Sequence, residues 1–125
     1  MNTNIYIREK ISILWIVVMI NMIFADVLSF MLPGFLNDII TGNTPLGITQ
    51  EILLVFAVIL EIPIIMIFLS RVLKYKANRW ANIVASVITI IFVIGGGSLA
   101  LHYIFFATIE VIILVLIITY AWKLS

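Results

Sequence analysis

Three carboxylic acids, Asp26, Glu61 and Glu110, each lie inside a long apolar run. Glu61 is the sharpest case: it sits near the middle of EILLVFAVILEIPIIMIFLSRVL, residues 51–73, with Pro63 two positions on. A helix rises about 1.5 Å per residue, so Glu61 falls roughly 15 Å from Glu51, close to the centre of a hydrocarbon layer about 30 Å thick. A carboxylate there costs about 2.5–3.5 kcal/mol on insertion scales. Such a group is protonated, shares a proton through a hydrogen bond, or meets a cation that enters. The chemistry on offer is therefore proton exchange and the binding of a small cationic or neutral amphipathic ligand.

The elements that position these acids must be membrane helices. Of 125 residues, 65% are hydrophobic and 10% charged, with a mean hydropathy of +1.32. A soluble domain is nearer half apolar and a quarter charged, and one small core cannot hide the excess. The expected fold class is all-α: a single integral membrane domain, an antiparallel four-helix bundle. Its spans are expected at about residues 11–32, 51–73, 80–97 and 99–122. Pro33-Gly34 stops the first span, FLNDIIT reads as a short interfacial helix, and GNTPLG is turn chemistry. Thr49 is placed to cap the second span, whose first turn carries Glu51. KYKANR forms a tight basic turn, and Gly95-Gly96-Gly97-Ser98 separates the last two spans. Pro63 leaves the Ile59 carbonyl without its usual donor, so a kink is expected beside Glu61. Trp15, Trp80 and Trp122, with Tyr6, Tyr75 and Tyr103, read as an aromatic belt.

The bases fix the expected orientation. Arg8 and Lys10 precede span one, Arg71, Lys74, Lys76 and Arg79 lie between spans two and three, and Lys123 follows span four. All seven fall on one side of a four-span layout, which the positive-inside rule assigns to the cytoplasm, with both termini. The apolar run near the N-terminus is long enough to span, so it does not read as a cleaved signal peptide. Asp26 then lies about 9 Å below the outer end of its span, Glu110 about 12 Å below, and Glu61 a little deeper. Arg71, the base nearest Glu61 in sequence, is roughly 15 Å along the helix. The acids thus share a depth without a fixed counter-charge.

Their neighbours point to an inward-facing arrangement. Ser12, Trp15, Met19, Met22, Asp26 and Ser29 recur at helical spacing, although Asn21 also interrupts this span. Asn78, Asn82, Ser86 and Thr89 make a polar stripe beside Ala81 and Ala85, suited to close helix contact and interhelical hydrogen bonds. Tyr103 and Phe106 share a stripe with Glu110. His102, at the mouth, is either a proton acceptor or an interfacial residue bonded to a carbonyl. The candidate ligand-binding or proton-carrying set is therefore Asp26, Glu61, Glu110, His102, Tyr103, Asn82 and Asn21. Catalytic residues, cofactor and metal are expected to be none: no thiolate is available, and no ligand spacing supports a metal site of Asp, Glu and His. With no basic groove or Gly-rich phosphate fingerprint, nucleic acid is set aside as a partner. The basic turn is first a topology signal and also suits anionic lipid.

The blocks FADVLSFMLPG, ITQEILLVFAVILEIPIIMIFLSRVL, NRWANI, FVIGGGS, HYIFFATIE and YAWK together resemble a family of short four-span prokaryotic membrane proteins of unknown function. The resemblance spans nearly the whole chain. It implies the four-span layout and a bacterial or archaeal inner membrane, with no activity to carry over. The layout is also loosely similar to that of DoxX-like four-helix membrane proteins, an architectural likeness only.

Three functions compete on these residues. The first is binding or proton-coupled transport of a small cationic or amphipathic ligand in an outward-opening pocket lined by Asp26, Glu61 and Glu110, in a protein small enough to need a homodimer. The second is a structural or accessory subunit whose acids hold helices or a partner together. The third, a membrane-embedded proton-transfer enzyme on a lipid-like substrate, lacks a visible nucleophile–base pair and ranks last.

Overall fold

Among the described residues, five helices run in the order α1 (Thr3–Ser29), α2 (Phe35–Thr41), α3 (Gln50–Val72), α4 (Tyr75–Gly95) and α5 (Leu101–Trp122). The structure, a computed structural model, describes residues 3–42, 49–95 and 101–124. No strand occurs among the described residues. Four helices are long and apolar enough to cross a membrane: Ile5–Ser29, Gln50–Val72, Tyr75–Gly95 and Leu101–Trp122. The protein is an all-α four-helix bundle of membrane-spanning type.

The helices pack in a ring, α1 against α3 and α5, and α4 against the same two. Neighbours run antiparallel. At one end of the α1–α5 pair Ser29 Oγ meets His102 Nε2 at 3.0 Å, and at the other the Lys10 ammonium lies 5.7 Å from the Tyr120 ring centroid. The core is a column of Ile11, Trp15, Val18, Leu114 and Ile117, all fully buried, with Met66 from α3 and Ala85 from α4 against it. α3 is the least enclosed span, and its buried residues are Pro63, Met66 and Ser70.

Local signals explain the element ends. Gly34 (φ 81°) and Gly42 (φ 75°) flank α2 in left-handed backbone, which only glycine adopts readily. The Thr49 hydroxyl accepts the Ile52 N–H at 3.2 Å and so caps α3, as expected. α3 is continuous through Pro63. α1 begins well before residue 11 and ends before 32, and α4 begins at Tyr75 rather than at Trp80. Helical hydrogen bonding continues through polar residues beyond the apolar run, so hydropathy underestimates helix length at these starts. The turn expected in GNTPLG and most of the glycine run fall outside the described residues.

Two basic residues close the ends of helices they do not belong to. Arg8 of α1 donates through Nε to the Ser70 carbonyl at 3.4 Å and through Nη2 to the Arg71 carbonyl, at the C-terminus of α3. Arg79 of α4 donates through Nη2 to the Trp122 carbonyl at 2.9 Å and also to that of Leu124, at the C-terminus of α5. The last carbonyls of a helix lack intrahelical donors and carry partial negative charge, so a guanidinium there answers both needs. The basic end therefore has a packing role as well as a charge.

Candidate functional site

Glu110 is the buried acid. It sits in the middle of α5 at 3% exposure, on the face that also buries Ile113, Leu114 and Ile117. Its carboxyl forms no hydrogen bond with another described residue. Asp26 and Tyr103 lie within electrostatic reach of it, and Asp26 also acts on Tyr103. The α1–α5 register places Asn21 roughly level with Glu110 and Asp26 about 7 Å nearer the far end, the end opposite the bases. Asp26 is exposed at the edge of the face that buries Met22 and Ser29. Above it Ser29 Oγ donates to the Ala25 carbonyl at 2.8 Å. The same hydroxyl lies 3.0 Å from His102 Nε2. The histidine thus meets a hydroxyl rather than a loop carbonyl.

Glu61 does not join this group. Two residues before buried Pro63, it is turned about 200° around the helix from it. Its side chain is exposed, between Val58 and Ile65 on the outward side of α3. The expectation of three carboxyls lining one pocket does not hold for Glu61, which is exposed on the outward side of α3, while Glu110 is buried and Asp26 lies exposed at an edge of α1. The reason is angular, since position along a helix does not set the direction a side chain takes around it.

The bundle is held elsewhere, on the half nearer the bases. Trp15 Nε1 donates to Asn82 Oδ1 at 2.7 Å, and Ser70 Oγ donates to the same oxygen at 3.1 Å. Asn78 Nδ2 donates to the Ser70 carbonyl at 2.7 Å, while Asn82 Nδ2 donates to the Asn78 carbonyl at 2.8 Å and to Asn78 Oδ1. Ser12 Oγ donates to the Ile67 carbonyl at 2.8 Å and accepts from Arg71 Nε at 3.0 Å. These groups link α1, α3 and α4. Asn82, expected as a ligand-binding residue, is instead wholly engaged in this scaffold. Asn21 donates only to the Val17 carbonyl of its own helix, at 2.8 Å. Trp15, expected in the aromatic belt, is fully buried; Trp80 and Trp122 are exposed and meet edge to face at 6.2 Å.

Sequence reading overlooked Ser12, Ser70 and the capping arginines as partners. The signal was present: Ser12 and Ser70 are hydroxyls flanking apolar runs, and Arg8 and Arg79 stand just before the apolar runs of their own helices. What was missing was which helix each would face. No three His, Asp or Glu side chains gather as a metal site among the described residues.

The arrangement sets a hydrogen-bonded amide–hydroxyl scaffold on one half of the bundle and a mid-span acid, Glu110, on the other, and such a carboxyl can take a proton or a cation. No curated protein and no solved structure matches the chain. The profile of DUF6326, a family of unknown function, matches residues 4–125, and the chain belongs to that family.

Proposed function

We propose that this protein binds a small cationic or amphipathic ligand at Glu110 and Asp26, exchanging protons there, and carries it across the inner membrane. The observation behind this reading is the division of polar labour. The amides and hydroxyls that hold helices together are paired, whereas the buried Glu110 carboxyl is bonded to none of the described groups. Acids serving as adhesion would be bonded to the neighbouring helix. In this reading the basic end and both termini face the cytoplasm, and Ser29, His102 and Tyr103 stand at the outer mouth.

The test uses the purified protein and tetraphenylphosphonium, a lipophilic cation. Glu110→Gln lowers binding at least tenfold and removes the proton release that accompanies it, while Asp26→Asn has a smaller effect. Unchanged binding and proton release in both variants would end this reading.

A second reading rests on Glu61. An exposed carboxyl in mid-span, on a face of Leu54, Val58, Ile65 and Phe68, calls for a hydrogen-bonding partner within the membrane. A second copy related by a two-fold axis supplies the same carboxyl at the same depth, and one shared proton makes the pair self-complementary. This gives a homodimer through α3, with the acid as an assembly residue. Glu61→Leu at the same detergent concentration then yields monomer, and a dimer that persists in that variant would refute it.

A further inference from the structure

At the basic end, Ile5, Arg8, Glu9 and Arg71 line an open groove of about 130 Å³. The two arginines are unusual neighbours, because like charges are seldom held together without a counter-ion. Here the backbone holds them. Arg8 is fixed by the Ser70 and Arg71 carbonyls and lies with its guanidinium 5.4 Å from the Tyr75 ring centroid. Arg71 is fixed by Ser12 Oγ through its Nε. These hydrogen-bonding partners are backbone and hydroxyl oxygens, so Glu9 supplies the one full negative charge lining the groove against two positive ones. Fixing Arg71 through Nε leaves its two terminal nitrogens directed elsewhere, and that pair is the fork that recognises a phosphate bidentately.

The groove also has a definite place relative to the membrane. It is formed where α1 enters and α3 ends, at the same end of the bundle as the exposed Trp80–Trp122 pair. Exposed tryptophans of a spanning bundle sit at headgroup level. Exposed Ile5 supplies an apolar wall beside the two charges, as an acyl-linked phosphate requires. Glu9 stands in the same groove and opposes an anion.

We infer that the groove between Arg8 and Arg71 binds a phosphate oxyanion, that of an anionic phospholipid headgroup or of free phosphate. The seat is built by the C-terminus of α3, which anchors Arg8, and by Ser12, which anchors Arg71, on one groove. It lies at the opposite end from the acid site and is independent of the ligand proposed there.

The experiment is native mass spectrometry of the full chain released from detergent, with acyl-matched phosphatidylglycerol and phosphatidylcholine in competition. The wild-type protein retains phosphatidylglycerol in preference, and Arg71→Gln reduces that retention roughly tenfold. Arg71→Lys, which keeps the charge but not the fork, falls between them. Glu9→Gln, which touches no hydrogen bond of the fold, raises retention and keeps the test open if Arg71→Gln unfolds. Lys76→Gln with Lys123→Gln leaves retention unchanged. A parallel arm adds millimolar orthophosphate: displacement of the lipid in an Arg71-dependent way assigns the same site to soluble phosphate, and no displacement assigns it to lipid. Equal retention of the two lipids with no Arg71-dependent orthophosphate binding, or equal losses in the lysine and arginine variants, would overturn the inference in favour of diffuse attraction.

Discussion

The indole of Trp15 and the amide of Asn82 meet across the diagonal of the bundle, with Nε1 donating to Oδ1 at 2.7 Å. One oxygen serves two helices here, because Ser70 Oγ donates to it as well. Asn82→Leu therefore strands two buried donors, whereas Trp15→Phe strands none and leaves Asn82 its Ser70 contact. Unfolding titrations in mixed micelles should register a loss of about 2–4 kcal/mol for Asn82→Leu and about 1 kcal/mol for Trp15→Phe. Equal losses would mean that packing, not the shared acceptor, sets the stability.

Ser86 is the counter-example one turn further along α4. Its hydroxyl is buried without a hydrogen-bond partner among the described residues, although the same stripe supplies Asn78 and Asn82 to the network. Ser86→Ala removes an unsatisfied polar atom at little change in volume. The expected outcome is a gain of up to about 1 kcal/mol in the same titration. A clear loss would show that the hydroxyl has a partner in the folded state.

Arg79 caps α5 from outside, holding the Trp122 and Leu124 carbonyls, and its guanidinium lies 5.1 Å from the Trp122 ring centroid. Arg79→Gln should fray the last turn without opening the bundle. Hydrogen exchange at the amides of residues 118–124 is expected to rise by roughly tenfold, with the amides near Leu114 unaffected. Uniform acceleration along α5 would contradict a local capping role.

Gly34 carries φ 81° at the entry to α2, and a Cβ there would meet nothing within 4 Å. Any penalty for Gly34→Ala is therefore backbone strain alone, about 1–2 kcal/mol. Gly95, also with open space around it but without a left-handed φ, provides the control, and Gly95→Ala should be neutral or slightly stabilising. Thermal denaturation in detergent distinguishes them, and similar effects at both positions would dismiss strain as the cause.

Glu61 tests the outward face of α3. Replacing it by leucine removes a carboxyl from an apolar surface, so the isolated bundle should insert more favourably, by about 2.5–3.5 kcal/mol on insertion scales. A glycosylation-reporter insertion assay on the α3 segment reads this directly. No change would place the carboxyl outside the hydrocarbon.

Much of the architecture was legible in the residues themselves. Long apolar runs separated by Pro33-Gly34 and by a short basic turn leave few ways to satisfy backbone polar groups in lipid, and helices are the solution. Thr49 as a cap and FLNDIIT as a short helix followed from chemistry confined to neighbouring residues.

What the chain order could not specify was direction around each helix axis. Depth is a property of one helix, whereas facing is a relation among four, decided by how Trp15, Asn82, Ser70 and the core column pack. That packing turns Glu110 inward, leaves Asp26 at an edge and sends Glu61 to the outside. The arginines show the same limit: their positions along the chain put them at one end, and only the assembled bundle gave Arg8 the end of α3 and Arg79 the end of α5 to cap. Local hydrogen bonding and hydrophobic length are written residue by residue; azimuth and interhelical partnership come into being only when the helices meet.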